Sequence, residues 1–371
     1  MMSRVVPLKD IQSPTGSYNI GTDSFFWIDS TRGEWFTDDP NDNREILVQV
    51  WYPAIKNNNK TASWMDYPHE RAESLSQNFG LPKFIAKAID RIDTDTFIDT
   101  DPIDNGLFPV IIFSHGFEGF RTQNTTQIQE LVSNGYIVFA VDHTYDSNLT
   151  IFPDGRKIER AQKYCWDCDQ NNPEKFWSVF GPQIDTRASD IIFILDKIER
   201  LNNNFSGLMN LDKIGVFGHS FGGGTSVVAS IKDSRIKSCI SLDGWYTPVN
   251  PSIYETGLNV PFLHLGRISW EKKINYQILD SILVYGNSYS YKLSLEGSHH
   301  YDFTDSPHLS PLASTFKLSS DIDNKEILDV TNITVLGFFN KTLKLKSDEW
   351  LRKLEKNKRV VINYIIRDEK E

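Results

Sequence analysis

The chain has 371 residues, of which 39% are hydrophobic, and its formal net charge is −10 at pH 7. This length and apolar content allow a large buried core, and one α/β unit of this size is common. The negative charge disfavours nucleic-acid binding, because phosphate neutralisation needs basic patches and none is evident in the sequence.

No apolar run long enough to cross a membrane as a helix occurs in the sequence. Residues 1–16 lack the apolar stretch of a secretory signal, which predicts a cytoplasmic protein. A secreted chain already cut behind its signal would show the same beginning. The sequence therefore predicts a protein without a transmembrane helix, and the cytoplasm as its compartment.

The cysteines and the acidic segment do not predict a metal site. Cys165 and Cys168 form a C-x-x-C in a polar stretch, where free thiols and a local disulfide both remain open. Zinc would need two further ligands, and none stands at suitable spacing. Residues 99–106 are acid-rich, but an EF-hand alignment puts isoleucines at ligand positions, which excludes that calcium loop. Cys239 lies in an apolar run and is predicted to be buried.

The N-terminal part of the chain predicts antiparallel strands. Residues 45–52 alternate between apolar and polar side chains and end before a proline, as an outer strand does. Residues 62–104 then form an insertion between strands. Apolar side chains share one face of a predicted helix at 83–92 in that insertion. This helix either packs on the core or has a functional role, as a lid or as a helix that touches lipid.

From residue 109 onward, apolar strands alternate with amphipathic helices. The strands are predicted at 110–113, 136–141, 213–217, 237–242, 261–265 and 290–295. The helices are predicted at 126–133, 184–201, 225–231 and 326–345. This alternation predicts a mostly parallel central sheet with helices on both faces. We expect one α/β domain over 1–371, with N-terminal antiparallel strands and a cap-like insertion at 62–104.

Residues 213–226 read KIGVFGHSFGGGTS and carry the strongest functional signal. An apolar strand ends at Gly218, and a helix follows the glycines after Ser220. A G-x-S-x-G between a strand and a helix is typical of a nucleophile elbow, where glycines leave room for a sharp turn. The motif predicts an exposed, reactive Ser220 hydroxyl beside a helix N-terminus, and the alternative is a purely structural turn.

A serine hydroxyl needs a histidine base and a carboxylate that orients the imidazole. In a sheet of this kind both follow the serine in the chain. His299 and His300 come directly after the strand at 290–295, so one of them is predicted to be the base. His264 lies inside a strand and His308 lies in a loop, which makes them poorer candidates.

Two carboxylates are candidates for the acid. Asp243 stands directly at the tip of the strand at 237–242, whereas Glu271 lies several residues beyond the strand at 261–265. We favour Asp243, because no carboxylate stands at the end of the latter strand.

Two backbone amides are predicted to hold the oxyanion. One belongs to Phe221, the residue after the nucleophile, and the second belongs to Phe117, behind the segment Ser-His-Gly at 114–116. Such donors contribute roughly 3 kcal/mol each to transition-state stabilisation. The phenylalanine rings at these positions would also line an apolar acyl pocket. No metal and no cofactor enters this scheme.

Several segments resemble plasma-type platelet-activating-factor acetylhydrolases and their bacterial relatives, which are α/β-hydrolases. These segments are VQVWYPA, FSHGFEGFRTQ, KIGVFGHSFGGGTS, SLDGWYTP and SHHYDFTD, and the resemblance spans roughly residues 45–345. It implies Ser220 as nucleophile, Asp243 as acid and His300, rather than His299, as base, with oxyanion amides at Phe117 and Phe221. It also implies calcium-independent release of short or oxidised sn-2 acyl chains from phospholipids.

The chain departs from that family at 62–101 and 144–157, which leaves the substrate open. The alternatives are a general short-chain carboxylesterase or polyester hydrolase, and a non-catalytic protein that binds a lipid surface. The expected partners are a small ester or phospholipid substrate and a peripheral membrane contact, with no nucleic acid. The sequence does not predict the oligomeric state.

Overall fold

The computed structural model describes residues 10–56, 60–79, 92–161, 173–203, 205–309, 313–314 and 319–365. The strands are β1 (Asn19–Gly33), β2 (Asn43–Ala54), β3 (Thr61–Ser63), β4 (Asp93–Phe97), β5 (Phe108–Ser114), β6 (Ile137–Asp142), β7 (Leu149–Ile151), β8 (Lys157–Glu159), β9 (Met209–His219), β10 (Ile236–Leu242), β11 (Phe262–Gly266), β12 (Ser290–Leu295) and β13 (Val360–Ile365). The helices are α1 (Pro68–Phe79), α2 (Thr125–Ser133), α3 (Pro173–Leu201), α4 (Phe221–Lys232), α5 (Pro251–Tyr254), α6 (Ile274–Tyr285), α7 (Ser306–Leu309), α8 (Asn324–Lys344) and α9 (Glu349–Leu354), with a 3₁₀ turn at His300–Phe303.

One large sheet organises these elements, in the strand order β13-β12-β11-β10-β9-β5-β6-β2-β1-β4-β3. Neighbours from β6 to β12 in this order run parallel to one another. The N-terminal strands β1 and β2 join antiparallel at one side, and β13 closes the other edge antiparallel to β12. The predicted mostly parallel sheet with antiparallel N-terminal strands is confirmed.

Helices cover the sheet on both faces, as predicted. The larger apolar core packs α3, α4 and α6 against one face. The second core packs α2, α8 and α9 against the other. The central strands are buried on both sides, which explains why they read as continuous apolar runs rather than as alternating patterns.

The parallel strands end level with one another, and this alignment creates the site. Ser114 at the tip of β5 lies opposite Gly218 of β9, and His219 lies opposite Leu242 of β10. Leu242 in turn lies opposite Leu265 of β11. The loops that follow these strands therefore meet at one edge of the sheet, where ligands bind in open α/β sheets.

The insertion at 62–104 contains strands as well as a helix. Strand β4 pairs parallel with β1, and β3 pairs with β4, so the insertion widens the sheet. The Trp64 indole Nε1 donates to Thr122 O and to Asp305 Oδ2, both at 3.0 Å, which joins the insertion to the site edge. The predicted helix at 83–92 lies outside the described residues except for Ile92, which is buried. Its role as a cap stays a prediction.

Helix α3 begins at Pro173, ahead of the start near residue 184 that periodicity predicts. The added turns carry Phe176 and Phe180, which pack in the larger core. Their aromatic side chains interrupt the aliphatic pattern, and Pro182 inside the helix obscures its continuity. Cys239 is buried, as predicted; Cys165 and Cys168 lie outside the described residues.

Candidate active site

Ser220 alone makes the turn between β9 and α4. Its backbone has φ 55° and ψ −118°, a conformation that L residues rarely adopt. The Ser220 amide donates to Leu242 O at 2.9 Å, and the Trp245 amide donates to Ser220 O at 2.8 Å. The flanking β10 loop therefore holds the strained residue in place. The side chain lies at the N-terminus of α4, where backbone amides lack intrahelical acceptors.

The glycines beside Ser220 leave no space for a side chain. A Cβ on Gly218 would lie 2.2 Å from Gly222 O, and one on Gly222 would lie 1.9 Å from Ser114 O. Gly116, on the neighbouring loop, is less tightly enclosed, since a Cβ there would lie 3.0 Å from His219 Nδ1 and 3.4 Å from the Ser220 Cβ. The elbow thus packs backbone against backbone, which is the steric reason for the G-x-S-x-G pattern.

Asp243 is fully buried at the tip of β10 and is surrounded by donors. Its Oδ2 accepts from His300 Nδ1 at 2.6 Å and from Arg267 Nε at 2.8 Å. Its Oδ1 accepts from the Arg267 amide at 3.0 Å and from Trp270 Nε1 at 3.1 Å. Burial alone would raise the pKa of Asp243, but the His300 hydrogen bond and the charges of His300 and Arg267 outweigh it and lower that pKa. Asp243 is therefore an ionised hydrogen-bond acceptor at neutral pH.

The His300 ring lies between the acid and the elbow. Because the ionised Asp243 carboxylate accepts from Nδ1, that nitrogen carries a proton and Nε2 of neutral His300 has a free lone pair. The side chain is 24% exposed, so it can meet a substrate. The Trp270 ring lies edge-on to the imidazole with 5.2 Å between centroids, which restricts its rotation.

Among the described residues, no hydrogen bond joins Ser220 Oγ directly to His300 Nε2. The His219 ring lies beside the base, 4.6 Å from the His300 ring, centroid to centroid. His219 Nε2 also lies 2.9 Å from the backbone oxygen of His300. Catalytic hydrogen bonds are often long without substrate and shorten in the substrate complex.

The remaining sequence candidates fall in other places. Glu271 is 74% exposed and pairs with Arg267 Nη1 at 2.8 Å, so it touches the acid only through that arginine. His299 is exposed, and its amide donates to Asp302 Oδ2 at 2.7 Å in the cap of the 3₁₀ turn. His264 is buried within β11, where its Nδ1 lies 2.8 Å from the Tyr246 hydroxyl.

The two predicted oxyanion residues face each other across the site. The ring centroids of Phe117 and Phe221 lie 6.1 Å apart. Arg187 of α3 is fully buried beneath them, with its guanidinium carbon 4.8 Å from the centre of the Phe221 ring. It donates to the backbone oxygen of His115 and pairs with Asp146 at 3.0 Å. This arginine therefore holds both the loop before Phe117 and the start of α4.

An aromatic wall packs between the elbow and α3. We use this name for Phe117, Phe176, Phe180, Phe221 and Trp245. Successive ring centroids in this group lie 4.7 to 6.4 Å apart. Phe180 and Phe221 are almost completely buried. The wall is therefore a closely packed apolar cluster beside the elbow, and its predicted role as an acyl pocket stays a prediction.

Sequence reasoning missed Arg267 and Trp270 as partners of Asp243. Both lie in the loop behind β11, where the strand end carries no carboxylate. A cation and an indole N–H there were the available signal, because a buried carboxylate needs donors. Gln123 and His219 were also missed, and only the three-dimensional arrangement brings them together.

The described ranges contain no group of three or more His, Cys, Asp or Glu side chains arranged to hold a metal ion. Within the same ranges, no helix has the length and apolar character needed to cross a membrane.

Comparison with known proteins places the chain in a family. The profile of the family described as platelet-activating factor acetylhydrolase, isoform II, matches residues 5–359. The platelet-activating factor acetylhydrolase of Canis lupus familiaris is 26% identical over 368 residues, which cover 91% of this chain and 78% of that protein. The Gallus gallus protein of the same name is 27% identical over 272 residues, covering 65% of this chain and 63% of that protein.

A fungal protein and a solved bacterial structure are also similar to this chain. The probable 1-alkyl-2-acetylglycerophosphocholine esterase of Arthroderma benhamiae is 26% identical over 270 residues, 67% of this chain and 64% of that protein. The ferulic acid esterase of Streptomyces cinnamoneus has a similar structure, with a TM-score of 0.75 and 25% identity over 96% of this chain and 99% of that one. The fold is therefore that of an α/β-hydrolase, and the chain belongs to the platelet-activating factor acetylhydrolase, isoform II, family.

Proposed function

We propose that this chain is a serine carboxylic ester hydrolase that forms an acyl-enzyme on Ser220, with Asp243 and His300 as acid and base. One observation carries the proposal: the 2.6 Å hydrogen bond between His300 Nδ1 and the buried Asp243 carboxylate, beside a serine on a strained elbow. This geometry supplies an oriented base next to a nucleophile. Family membership and the esterase neighbour support the same chemistry.

In the first half of the reaction, Ser220 Oγ attacks the ester carbonyl carbon and gives its proton to His300 Nε2. Asp243 stabilises the imidazolium that forms, and it keeps the ring in the tautomer that can accept this proton. The amides of Phe117 and Phe221 receive the oxyanion. As the tetrahedral intermediate collapses, the C–O bond to the alcohol breaks, and the alkoxide takes the proton from His300.

In the second half, a water molecule replaces the alcohol. His300 Nε2 removes a proton from the water as its oxygen attacks the acyl carbon. Collapse then breaks the bond to Ser220 Oγ, which recovers its proton from His300. The carboxylic acid leaves, and the enzyme returns to its starting state.

For the substrate, we propose a short acyl ester of a glycerophospholipid. The aromatic wall suits a compact apolar acyl group, and the names of the relatives point to acetyl esters of glycerophosphocholine. Ile268 and Tyr301, which follow Arg267 and His300 in the chain, are 51% and 36% exposed. This apolar border beside the base supports peripheral contact with lipid. The cytoplasmic compartment stays a prediction.

The direct test compares wild type with Ser220→Ala. We expect the wild-type protein to hydrolyse p-nitrophenyl acetate and to react with a fluorophosphonate probe, and we expect the variant to do neither. The loss of turnover should reach roughly 10⁵- to 10⁶-fold, as for other serine nucleophiles. A wild type that neither labels nor turns over would favour the non-catalytic lipid-binding alternative.

A second assay separates the substrates. The same preparation is given acetyl, butanoyl and octanoyl p-nitrophenyl esters and a phosphatidylcholine with an acetyl group at sn-2. Release of acetate from the phospholipid supports the proposal. Turnover of the aryl esters alone would leave a general short-chain carboxylesterase.

A further inference from the structure

We propose that Gln123 is a positioning residue that acts through His219 to align the oxyanion loop with the catalytic base. By oxyanion loop we mean residues 114–119, which carry the Phe117 amide. This inference rests on the proposed function. It assigns a catalytic purpose to a buried amide side chain that takes no part in the chemistry itself.

The oxyanion loop is wrapped around the Gln123 amide. The Gly116 backbone N–H donates to Gln123 Oε1 at 3.2 Å. A Cβ on Gly119 would lie only 2.1 Å from the same oxygen, so the loop closes on Gln123 where a side chain would stand. The Gly119 amide donates to Gly116 O at 3.0 Å and completes this turn. The Gln123 oxygen therefore fixes Gly116, and with it Phe117, from inside the turn, while Arg187 holds the loop from His115.

The other half of the amide contacts the elbow. Because a backbone N–H can only donate, Gly116 identifies Oε1, and the remaining group of Gln123 is the NH₂. This NH₂ lies 2.7 Å from His219 Nδ1, which must then accept. His219 consequently carries its proton on Nε2 and donates it to the His300 backbone oxygen at 2.9 Å.

The arrangement requires a neutral His219, and the site enforces that. Burial, together with neighbouring His300, lowers the pKa of His219 to about 3. Both ring nitrogens have partners of opposite character, so the ring has one orientation and one tautomer. The result is a continuous path of hydrogen bonds from the Gly116 amide through Gln123 and His219 to His300.

This path joins three parts of the site that come from different strands. They are the oxyanion loop behind β5, the residue just before Ser220 at the end of β9, and the base behind β12. A backbone hydrogen bond connects the Gln123 segment a second time to the chain behind the base, since the Asp305 amide donates to Gln123 O at 3.0 Å. The oxyanion amides and the base act on the same tetrahedral intermediate, so their separation must be held closely.

The test replaces Gln123 with methionine, which keeps the length of the side chain and removes both polar groups. We expect kcat for p-nitrophenyl acetate to fall about 10- to 100-fold while KM stays within about threefold. The reason is that the interaction which is removed stabilises the transition state and not the bound substrate. The affinity for an aryl trifluoromethyl ketone should fall by the same factor as kcat/KM. Its tetrahedral adduct places an oxygen in the same oxyanion site.

Gln129→Met is the matched control. Gln129 is another buried glutamine, and its Oε1 accepts from the Asp95 amide at 2.9 Å and the Thr96 hydroxyl at 3.1 Å, both in β4. We expect this change to lower the thermal midpoint as Gln123→Met does, but to leave kcat and ketone affinity unchanged. Equal losses of kcat in both variants would overturn the inference.

His219 provides an independent arm. His219→Leu should reproduce the kinetic loss of Gln123→Met. The double variant should lose no more kcat than the more impaired of the two single variants, since both changes break one path. His219→Gln keeps an amide N–H that reaches the His300 oxygen, and it should recover part of kcat. Additive losses, or no difference between His219→Leu and His219→Gln, would contradict the path.

Wild type and Ser220→Ala separate the two proposals. Serine-dependent turnover in wild type with an unaffected Gln123→Met variant would overturn the positioning role and leave the esterase proposal intact. The absence of turnover in wild type would overturn both.

Discussion

Arg267 Nε and His300 Nδ1 donate to the same oxygen of Asp243, at 2.8 and 2.6 Å. The second carboxylate oxygen accepts from the Arg267 amide and Trp270 Nε1. Each oxygen of the Asp243 carboxylate therefore accepts two hydrogen bonds, which fix the orientation of the side chain. A buried carboxylate without such partners would take up a proton and could no longer polarise the imidazole.

Replacing Arg267 with methionine tests this relationship. The backbone amide bond to Asp243 remains, but the guanidinium charge is lost, so the pKa of Asp243 should rise. We expect kcat to fall roughly tenfold, with the larger part of the loss at low pH, where the carboxyl is more readily protonated. A pH series of ester hydrolysis measures this. Arg267→Lys keeps the charge and should retain most of the activity; equal losses for methionine and lysine would show that charge is not the cause.

Asp243→Asn should be far more damaging than Glu271→Gln. The asparagine NH₂ cannot accept from His300 Nδ1 and favours the tautomer with the proton on Nε2, which cannot act as a base. We therefore expect kcat to drop about 10⁴-fold. Glu271 is exposed and reaches the acid only through Arg267, so we expect less than about a threefold change. Initial rates with p-nitrophenyl acetate distinguish the two. A severe loss in the glutamate variant alone would identify Glu271 as the acid.

The elbow glycines should tolerate no methyl group. Gly222→Ala would put Cβ 1.9 Å from Ser114 O, a backbone atom that cannot move without shifting β5. We expect loss of activity together with a thermal midpoint several degrees lower. Gly33→Ala is the control, because the nearest atom to its Cβ would be Asp42 O at 3.7 Å. It should leave both measurements close to wild type, and an active, stable Gly222→Ala would contradict the described turn.

Acid should destabilise the protein through His264. Burial, against the opposing charge of Asp243 and with a smaller effect of Lys292, lowers the pKa of this histidine to about 3. Between that value and about 6.5, the unfolded chain binds a proton that the folded chain does not. The contribution is therefore fully present above pH 6.5 and is lost as the pH falls toward 3, at up to about 1.4 kcal/mol per pH unit.

Chemical denaturation at several pH values between 4 and 6 measures this slope. His264→Leu should reduce it by about one proton, whatever happens to the absolute stability. Tyr246→Phe removes the hydrogen bond to His264 Nδ1 but keeps the imidazole, so it serves as the control and should preserve the slope. Equal slopes in wild type and His264→Leu would show that this histidine does not titrate on unfolding.

The aromatic wall should limit the length of the acyl chain. Phe180 packs against both Phe117 and Trp245, with ring centroids 6.1 and 5.1 Å away. Phe180→Leu opens space there, and we expect the ratio of kcat/KM for butanoyl over acetyl esters to rise roughly 3- to 10-fold. Phe193→Leu, on the same helix but beside Arg32 and Lys197, is the control and should leave the ratio unchanged.

The order of strands and helices could be predicted from the sequence, because hydrophobic periodicity and apolar content are properties of short local segments. The run at 110–113 and the amphipathic pattern at 184–201 correspond to β5 and α3. Strand β13 and helix α6 were not predicted. An edge strand is half exposed, and its pattern is weak until its partner β12 is known.

In the active site, too, some residues could be recognised from the local sequence and others only from the fold. Ser220 was recognisable from its own neighbours, since the glycines that permit its turn lie within two residues of it. Asp243 and Glu271 could be ranked only by their distance from predicted strand ends, whereas the fold shows which of them reaches His300. For Arg267 the sequence offered only a cation just behind a strand end, and its role became readable once the fold placed that charge beside a carboxylate removed from water.

The sequence by itself determined the strained serine turn, the alternation that builds a parallel sheet, and the kinds of residue at the strand ends. The tertiary structure alone decided which of those residues meet. Gln123 and His219 are separated by 96 positions, and Asp243 and His300 by 57. The physical reason is that level strand tips bring distant loops within hydrogen-bond range, and the pairing depends on strand order and register rather than on local pattern.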